Sequence, residues 1–174
     1  MHPDYFRVTA RPARRWGLPL IAVLAAAILS AAIAVSTLML ARLEADRQAE
    51  LNGAAALVAV REFMTVYLTI DPSSADSYAD GILARGTGEF AKMFQEKRNE
   101  ILERVARSGA VAGTVLEAGV QRWNDDGSID VLLAAKVAST TPEGKPAKES
   151  VSRWVATTVK NGQHWKISNL IQVI

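Results

Sequence analysis

Arg15 and Arg42 enclose 26 residues without a formal charge, WGLPLIAVLAAAILSAAIAVSTLMLA. As a helix rising about 1.5 Å per residue, this run spans about 35–40 Å, more than a hydrocarbon core of about 30 Å. A cleaved signal peptide has a shorter apolar core, about 7–15 residues, followed by a small-x-small cleavage site. Here small-x-small candidates such as Ala32-Ile33-Ala34 fall inside the run. The pattern predicts an uncleaved transmembrane helix over residues 17–41. Pro19 falls in its first turn, where a missing N–H costs nothing, and Trp16 sits where an interfacial aromatic is expected.

Beyond the apolar run, residues 42–53 open with charges of mixed sign and read as a solvated helical stalk, with Gly53 as its weak point. From there an external domain is expected over residues 54–174. Leu51, Ala55, Val58, Phe63, Tyr67 and Ile70 recur at spacings near three and four, which predicts an amphipathic helix. Asp71-Pro72 stops it, and Ser73-Ser74 cap the next one. That short helix is expected over residues 75–83, broken by Arg85-Gly86-Thr87-Gly88. Thr87 is placed to cap a third helix, with Glu89 in its first turn. This single helix would carry Phe90, Met93, Phe94, Ile101, Leu102 and Val105 on one face, and Glu100–Arg104 and Glu103–Arg107 pairs on the other, with Gly109 closing it.

After Gly109 the period changes to two. Residues 111–123 predict a strand with Leu116, Ala118 and Val120 on one side, and Asn124-Asp125-Asp126-Gly127 predicts a turn. Ile129, Val131, Leu133, Ala135 and Val137 alternate without interruption, the clearest strand in the chain. Residues 141–148, with Pro142, Gly144 and Pro146, read as a mobile tip. Val151, Arg153, Val155, Thr157 and Val159 mark a third strand, Asn161-Gly162 a hairpin, and residues 165–173 a fourth strand. Three helices followed by an antiparallel meander define an α+β domain, with helices packed on one face of a curled four-stranded sheet.

Composition narrows the function classes. The chain has 174 residues, room for one domain and a short extra element. Hydrophobic residues make up 49% and charged residues 22%, which excludes wholesale disorder. With no cysteine, disulfides, thiol catalysis and thiolate metal sites fall together, and His2 and His164 lie at opposite ends. The net charge of +2 hides a split. Arg7, Arg11, Arg14 and Arg15 stand against Asp4 in the basic tail of residues 1–16, while the remainder is close to neutral. A nucleic-acid binder needs its cations on the face that meets phosphates, so nucleic acid is a poor fit. The tail instead orients the helix: its amino terminus should stay in the cytoplasm, and the carboxy-terminal domain should lie outside the plasma membrane.

Candidate chemistry is thin. Asp130 and Lys136 fall opposite the apolar alternation and are expected in solvent; His164 is expected at a hairpin end. Asp125-Asp126 reads as a turn, because the calcium-loop pattern is absent. Gly86-Thr87-Gly88 has neither the preceding strand nor the lysine of a phosphate loop. No acid–base pair is visible, so no catalytic, metal or cofactor role is expected. Interaction is better represented. Ala22, Ala26, Ser30 and Ala34 recur every four residues, a small-residue face that would let another helix approach in lipid. Trp123 and Trp154 come at strand positions opposite the assigned apolar faces; they are either exposed partner contacts or, if the faces are reversed, core residues.

Gly86-Thr87-Gly88-Glu89-Phe90, the helix after it, and the ending Asn161-Gly162-Gln163-His164-Trp165-Lys166-Ile167-Ser168-Asn169-Leu170 resemble the Mce-associated membrane proteins of mycobacteria and related actinobacteria. That family opens the helix with a G-x-TGEF-like phrase and closes on a hairpin near D-G-x-W-x-V-S-D-L. The order of parts also matches, over about residues 15–174. Asn161 and Asn169 depart from the usual aspartates, and His164 precedes the tryptophan. The resemblance implies a cone-shaped domain like that of nuclear transport factor two and of the periplasmic part of a type IV secretion assembly protein. It also implies an accessory subunit of Mce importers of fatty acids or sterols, with Mce proteins and YrbE-type permease subunits as partners. The alternatives are a self-associating envelope scaffold, homodimeric through the sheet, and a domain that itself binds lipid. For the last, the Phe90, Met93, Phe94 and Ile101 helix is expected to plug the cone.

Overall fold

The computed structural model describes residues 17–141 and 146–173. The basic tail with its four arginines, His2, Trp16, and the loop residues Pro142 and Gly144 lie outside them. Helix α1 (Gly17–Leu68) is followed by a 3-10 turn (Pro72–Ser74), α2 (Ala75–Arg85), α3 (Gly88–Glu96) and α4 (Arg98–Arg107). Strands β1 (Val111–Trp123), β2 (Ile129–Thr140), β3 (Pro146–Asn161) and β4 (His164–Val173) then form one antiparallel sheet in the order β1-β2-β3-β4. The ladder reaches Pro146, opposite Thr140, so part of the expected 141–148 loop is strand. The chain divides into two compact units, Met1–Arg47 and Gln48–Ile174.

In the first unit, the large apolar side chains from Leu20 to Leu43 are all more than half exposed. Ser30 Oγ donates to the Ala26 carbonyl at 2.8 Å, Ser36 Oγ to Ala32 and Thr37 Oγ1 to Ala34 at 2.9 Å. Each hydroxyl is thus satisfied within the helix, as a segment in hydrocarbon requires.

The second unit has its own core. From α1, Gly53, Ala56, Val60, Phe63, Met64 and Leu68 are buried at helical spacing. This is not the stripe expected from the sequence: Leu51 and Val58 are each 56% exposed, and Ala55 is exposed. The segment is apolar nearly all round, so periodicity alone leaves its phase open. Closeness of approach sets it. A Cβ at Gly53 would lie 3.1 Å from the Trp123 ring, and one at Gly113 on β1 would collide with Leu68. Gly53 is therefore a buried packing position within a continuous helix, not a hinge.

Ile70 and Val111 exchange backbone hydrogen bonds of 2.8 and 2.9 Å, tying the end of this helical segment to β1. Asp71 caps the 3-10 turn by accepting from Ser73 N and Oγ; Ser74 makes no side-chain cap to α2. Thr87 likewise lacks a side-chain cap, but its N–H donates to Ile167 O at 2.8 Å and docks α3 on β4. The predicted single helix is two, divided at Lys97 (φ −95, ψ 7). Met93 faces outward on α3, 48% exposed, while Phe94 and Val105 are buried. Gly109 lies beyond the Ser108 cap of α4, pressed against the Thr140 carbonyl.

Ile129, Val131, Leu133 and Ala135 are all buried on the inner face, as their alternation predicts. Elsewhere the phase differs. A bulge between Val115 and Glu117 ejects Leu116, 50% exposed, and leaves Val115, Ala118 and Val120 on the core. On β3 the inward residues are Trp154, Ala156 and Thr158, so Val151, Arg153, Val155, Thr157 and Val159 face outward. Gly127 and Gly162 close the two hairpins at φ +81 and +64, where a side chain is strained.

The close contact predicts a pair of contrasting variants. Gly113→Ala should destabilise by about 1–3 kcal/mol through overpacking against Leu68. Gly119→Ala, with open space around its Cβ, should stay within about 0.5 kcal/mol of the parent. Urea unfolding of the full chain in detergent, followed by tryptophan fluorescence, checks both.

Candidate functional site

The sheet face away from the helices is built by register. One row across it runs Gly119–Leu132–Val155–Ile171, and the next runs Glu117–Ala134–Arg153–Val173. Leu132 and Val173 are each 39% exposed, Ile171 54% and Val151 64%. Above Gly119, which has no side chain to fill the row, lies a hollow of about 290 Å³ bordered by Glu117, Gln121, Leu132, Ala134 and Arg153. Among the described residues, neither Glu117 nor Arg153 has an ion-pair partner. An apolar stripe flanked by one free acid and one free base can contact another surface.

Asp130, expected in solvent, is 7% exposed on this face. Its carboxylate accepts from Thr157 Oγ1 at 2.8 Å and pairs with Arg122 Nε at 3.2 Å. Cross-strand neighbours, invisible in a local reading, bury and satisfy it. Lys136 is half-exposed and pairs with Glu149 at 2.9 Å. The structure thus engages both charged residues of β2 in side-chain pairs.

The two tryptophans are not equivalent. Trp154 lies opposite Leu133 on the inner face, its ring 5.9 Å edge-to-face from Tyr67 and its Nε1 donating to Ser152 Oγ at 2.9 Å. It is half-buried against the core, which corrects its assignment to the opposite face. Trp123 pairs with Ile129 and stacks over Gly53, because a second bulge, between Val120 and Arg122, turns it inward; it remains 48% exposed. The outward residues Leu132, Val151, Ile171 and Val173 were missed by the sequence reading; the valine alternation on β3 was the available signal, read with the wrong sense. Ala22, Ala26, Ser30 and Ala34 lie exposed on α1 in the first unit.

His164 is exposed beside the 161–164 hairpin. Among the described residues no cluster of three or more His, Cys, Asp or Glu could hold a metal. Asp126 accepts from Ser128 N at 2.9 Å and Ser128 Oγ at 2.6 Å, and these bonds hold its carboxyl below the ordinary carboxylate value. A lowered pKa in the folded state means that the turn is supported above the unfolded pKa and loses that support as pH falls through the folded one.

Fold and surface together define a class: helices on a four-stranded antiparallel sheet in the manner of nuclear transport factor two, preceded by a helix that contains a segment long and apolar enough to cross a membrane. Within it, the family model described as uncharacterized protein Rv1363c/MT1408-like matches residues 18–173, and the chain belongs to that family. Among solved structures, CagV, a VirB8 homolog of the T4SS from Helicobacter pylori strain 26695, is similar at a TM-score of 0.56 and 9% identity, covering 69% of this chain and 97% of its own. A periplasmic fragment of TraM is similar at a TM-score of 0.55 and 13% identity, covering 68% and 95%. The periplasmic domain of DotI is similar at 0.50 and 14% identity, covering 69% and 94%. At such identities the likeness establishes the fold. No curated protein matches the sequence.

The Asp126 geometry yields a pH prediction. The Ser128 amide resonance of the full chain in micelles should titrate with its inflection below the ordinary Asp value of about 3.9, and Ser128→Ala should shift that inflection upward. An inflection at or above the ordinary value would remove the electrostatic role of this turn.

Proposed function

We propose that the protein is a non-catalytic accessory subunit of an Mce-type lipid importer, held in the plasma membrane by residues 17–41 with its amino terminus cytoplasmic and its domain outside. The observation that carries the accessory role is the outward sheet face: Leu132, Ile171, Val173 and Val151 exposed beside unpaired Glu117 and Arg153. Exposed apolar stripes bordered by charge are characteristic of surfaces that meet other proteins. The Mce assignment rests on the resemblance of residues 86–90 and 161–170 to that family. Mce proteins would meet the sheet face, and YrbE-type permease subunits would meet the small-residue face of Ala22, Ala26, Ser30 and Ala34.

Purification of the tagged full-length protein from its native host in mild detergent, with mass spectrometry of what accompanies it, tests this reading. Mce proteins and permease should co-purify near stoichiometry. Ile171→Arg should reduce recovery of the Mce proteins by about tenfold, in the range of a central interface residue. Ala26→Leu with Ser30→Leu should reduce recovery of the permease while the external domain stays folded. Recovery of the protein alone would reject the importer role.

A second reading, self-association through the sheet, is favoured by one observation. Glu117 and Arg153 flank Ala134 in the same row, so a two-fold axis near Ala134 would set each Glu117 against an Arg153 of the second copy. Glu117→Arg or Arg153→Glu alone should then weaken a dimer in analytical ultracentrifugation, and the double exchange should restore it. A monomer in the parent protein would end this reading.

A further inference from the structure

A second hollow lies on the other side of the sheet, among the helices. It measures about 410 Å³ and is walled by Tyr67, Phe90, Phe94, Ile101 and Val105, with Lys97, Glu100 and Arg104 at its rim. Residues of α3 and α4, which part at Lys97, line it, and Met93, 48% exposed, is not among them. The expected plug is therefore incomplete.

The lining is chemically divided. Its wall is aromatic and aliphatic. Tyr78 spends its hydroxyl on the Tyr67 carbonyl at 3.0 Å, whereas the Tyr67 hydroxyl makes no hydrogen bond among the described residues. Burial raises the Tyr67 pKa, and burial followed by the neighbouring Tyr67 raises that of Tyr78 to about 12, so both remain neutral at physiological pH. At the rim, Glu100 and Arg104 neutralise one another at 2.6 Å. Lys97 is exposed and has no ion-pair partner among the described residues, which leaves the rim with one uncompensated positive charge.

We propose that this hollow binds one straight-chain fatty acid, its alkyl chain among Phe90, Phe94 and Ile101 and its carboxylate at Lys97. The charge selects a monoanion. The volume sits near the low end of the range for small-molecule sites, about 300–1,000 Å³, and suits one chain better than the two of a phospholipid. This site stands independently of the importer assignment, since its readout is lipid occupancy and not co-purification.

The test uses the full-length protein in phosphatidylcholine nanodiscs, where phospholipid is already in large excess. Palmitate carrying a diazirine is added, the sample is irradiated, and labelled peptides are mapped by mass spectrometry. Labelling within residues 67–105 is expected, competed by unlabelled palmitate. Ile101→Trp, which fills the hollow, should reduce it at least tenfold, and Lys97→Glu, at an exposed position, should reduce it severalfold. Near-ultraviolet circular dichroism establishes that each variant is folded; if Ile101→Trp is not, Lys97→Glu carries the test alone. Labelling confined to residues 17–47, as expected of adventitious contact with the apolar helix, would overturn the site. So would labelling of residues 67–105 that survives a folded Ile101→Trp variant. Labelling indifferent to Lys97→Glu would overturn the fatty-acid assignment.

Discussion

Everything in the domain depends on how closely the end of α1 lies on the sheet. Along its buried stripe the side chains grow from Gly53 through Ala56 and Val60 to Phe63 and Met64. Trp123 fills the space that Gly53 leaves, and Gly113 lets β1 come against Leu68. The Ile70–Val111 bridge then fixes where the helical segment ends on the sheet. A close-packed interface of this kind gains from many small dispersion contacts and tolerates little change in volume. It also settles which sheet face is inner, and hence which residues are left outside.

The kinds of element and their order were legible because punctuation is chemically explicit. Asp71-Pro72, Asn124–Gly127 and Asn161-Gly162 each stop or turn the chain by local backbone preference. Phase was less legible, for three different reasons. The α1 segment around residues 54–60 is apolar on every side, so the stripe is chosen by the sheet it meets. Two bulges in β1 reverse the alternation where no glycine or proline marks them, ejecting Leu116 and turning Trp123 inward. The division at Lys97 likewise has no breaker residue to announce it, so α3 and α4 read as one helix. Asp130 shows the same limit for charge: its burial comes from Arg122 and Thr157 on neighbouring strands.

These departures are not scattered. Val151 and Val155 belong to the outer face that also carries Leu132, Ile171 and Val173, and Leu116 is expelled from the inner one. The rule that apolar residues turn inward fails on β3 because both of its faces are apolar, Trp154 and Ala156 on one and valines on the other. Where local pattern and global packing disagree in a stable fold, the disagreement tends to fall on surfaces kept for another purpose. This face sets Arg153 among Val151, Val155 and Val173, with Glu117 two strands away in the same row, so its apolar residues and its free charges are interleaved.

The helical side departs in the opposite sense. There the expectation was a packed plug, and the structure leaves space. The two features lie on opposite faces of one sheet, with Leu133 turned to the core and its neighbour Leu132 to the outer stripe. A protein docked on the outer face would leave the mouth at Lys97 uncovered, and a chain held among Phe90, Phe94 and Ile101 would not touch the Leu132–Ile171 row. The sheet therefore separates a surface suited to assembly from a hollow suited to an amphiphile, and the Tyr67 ring that walls the hollow meets Trp154 of β3, whose strand neighbours Arg153 and Val155 face the outer surface.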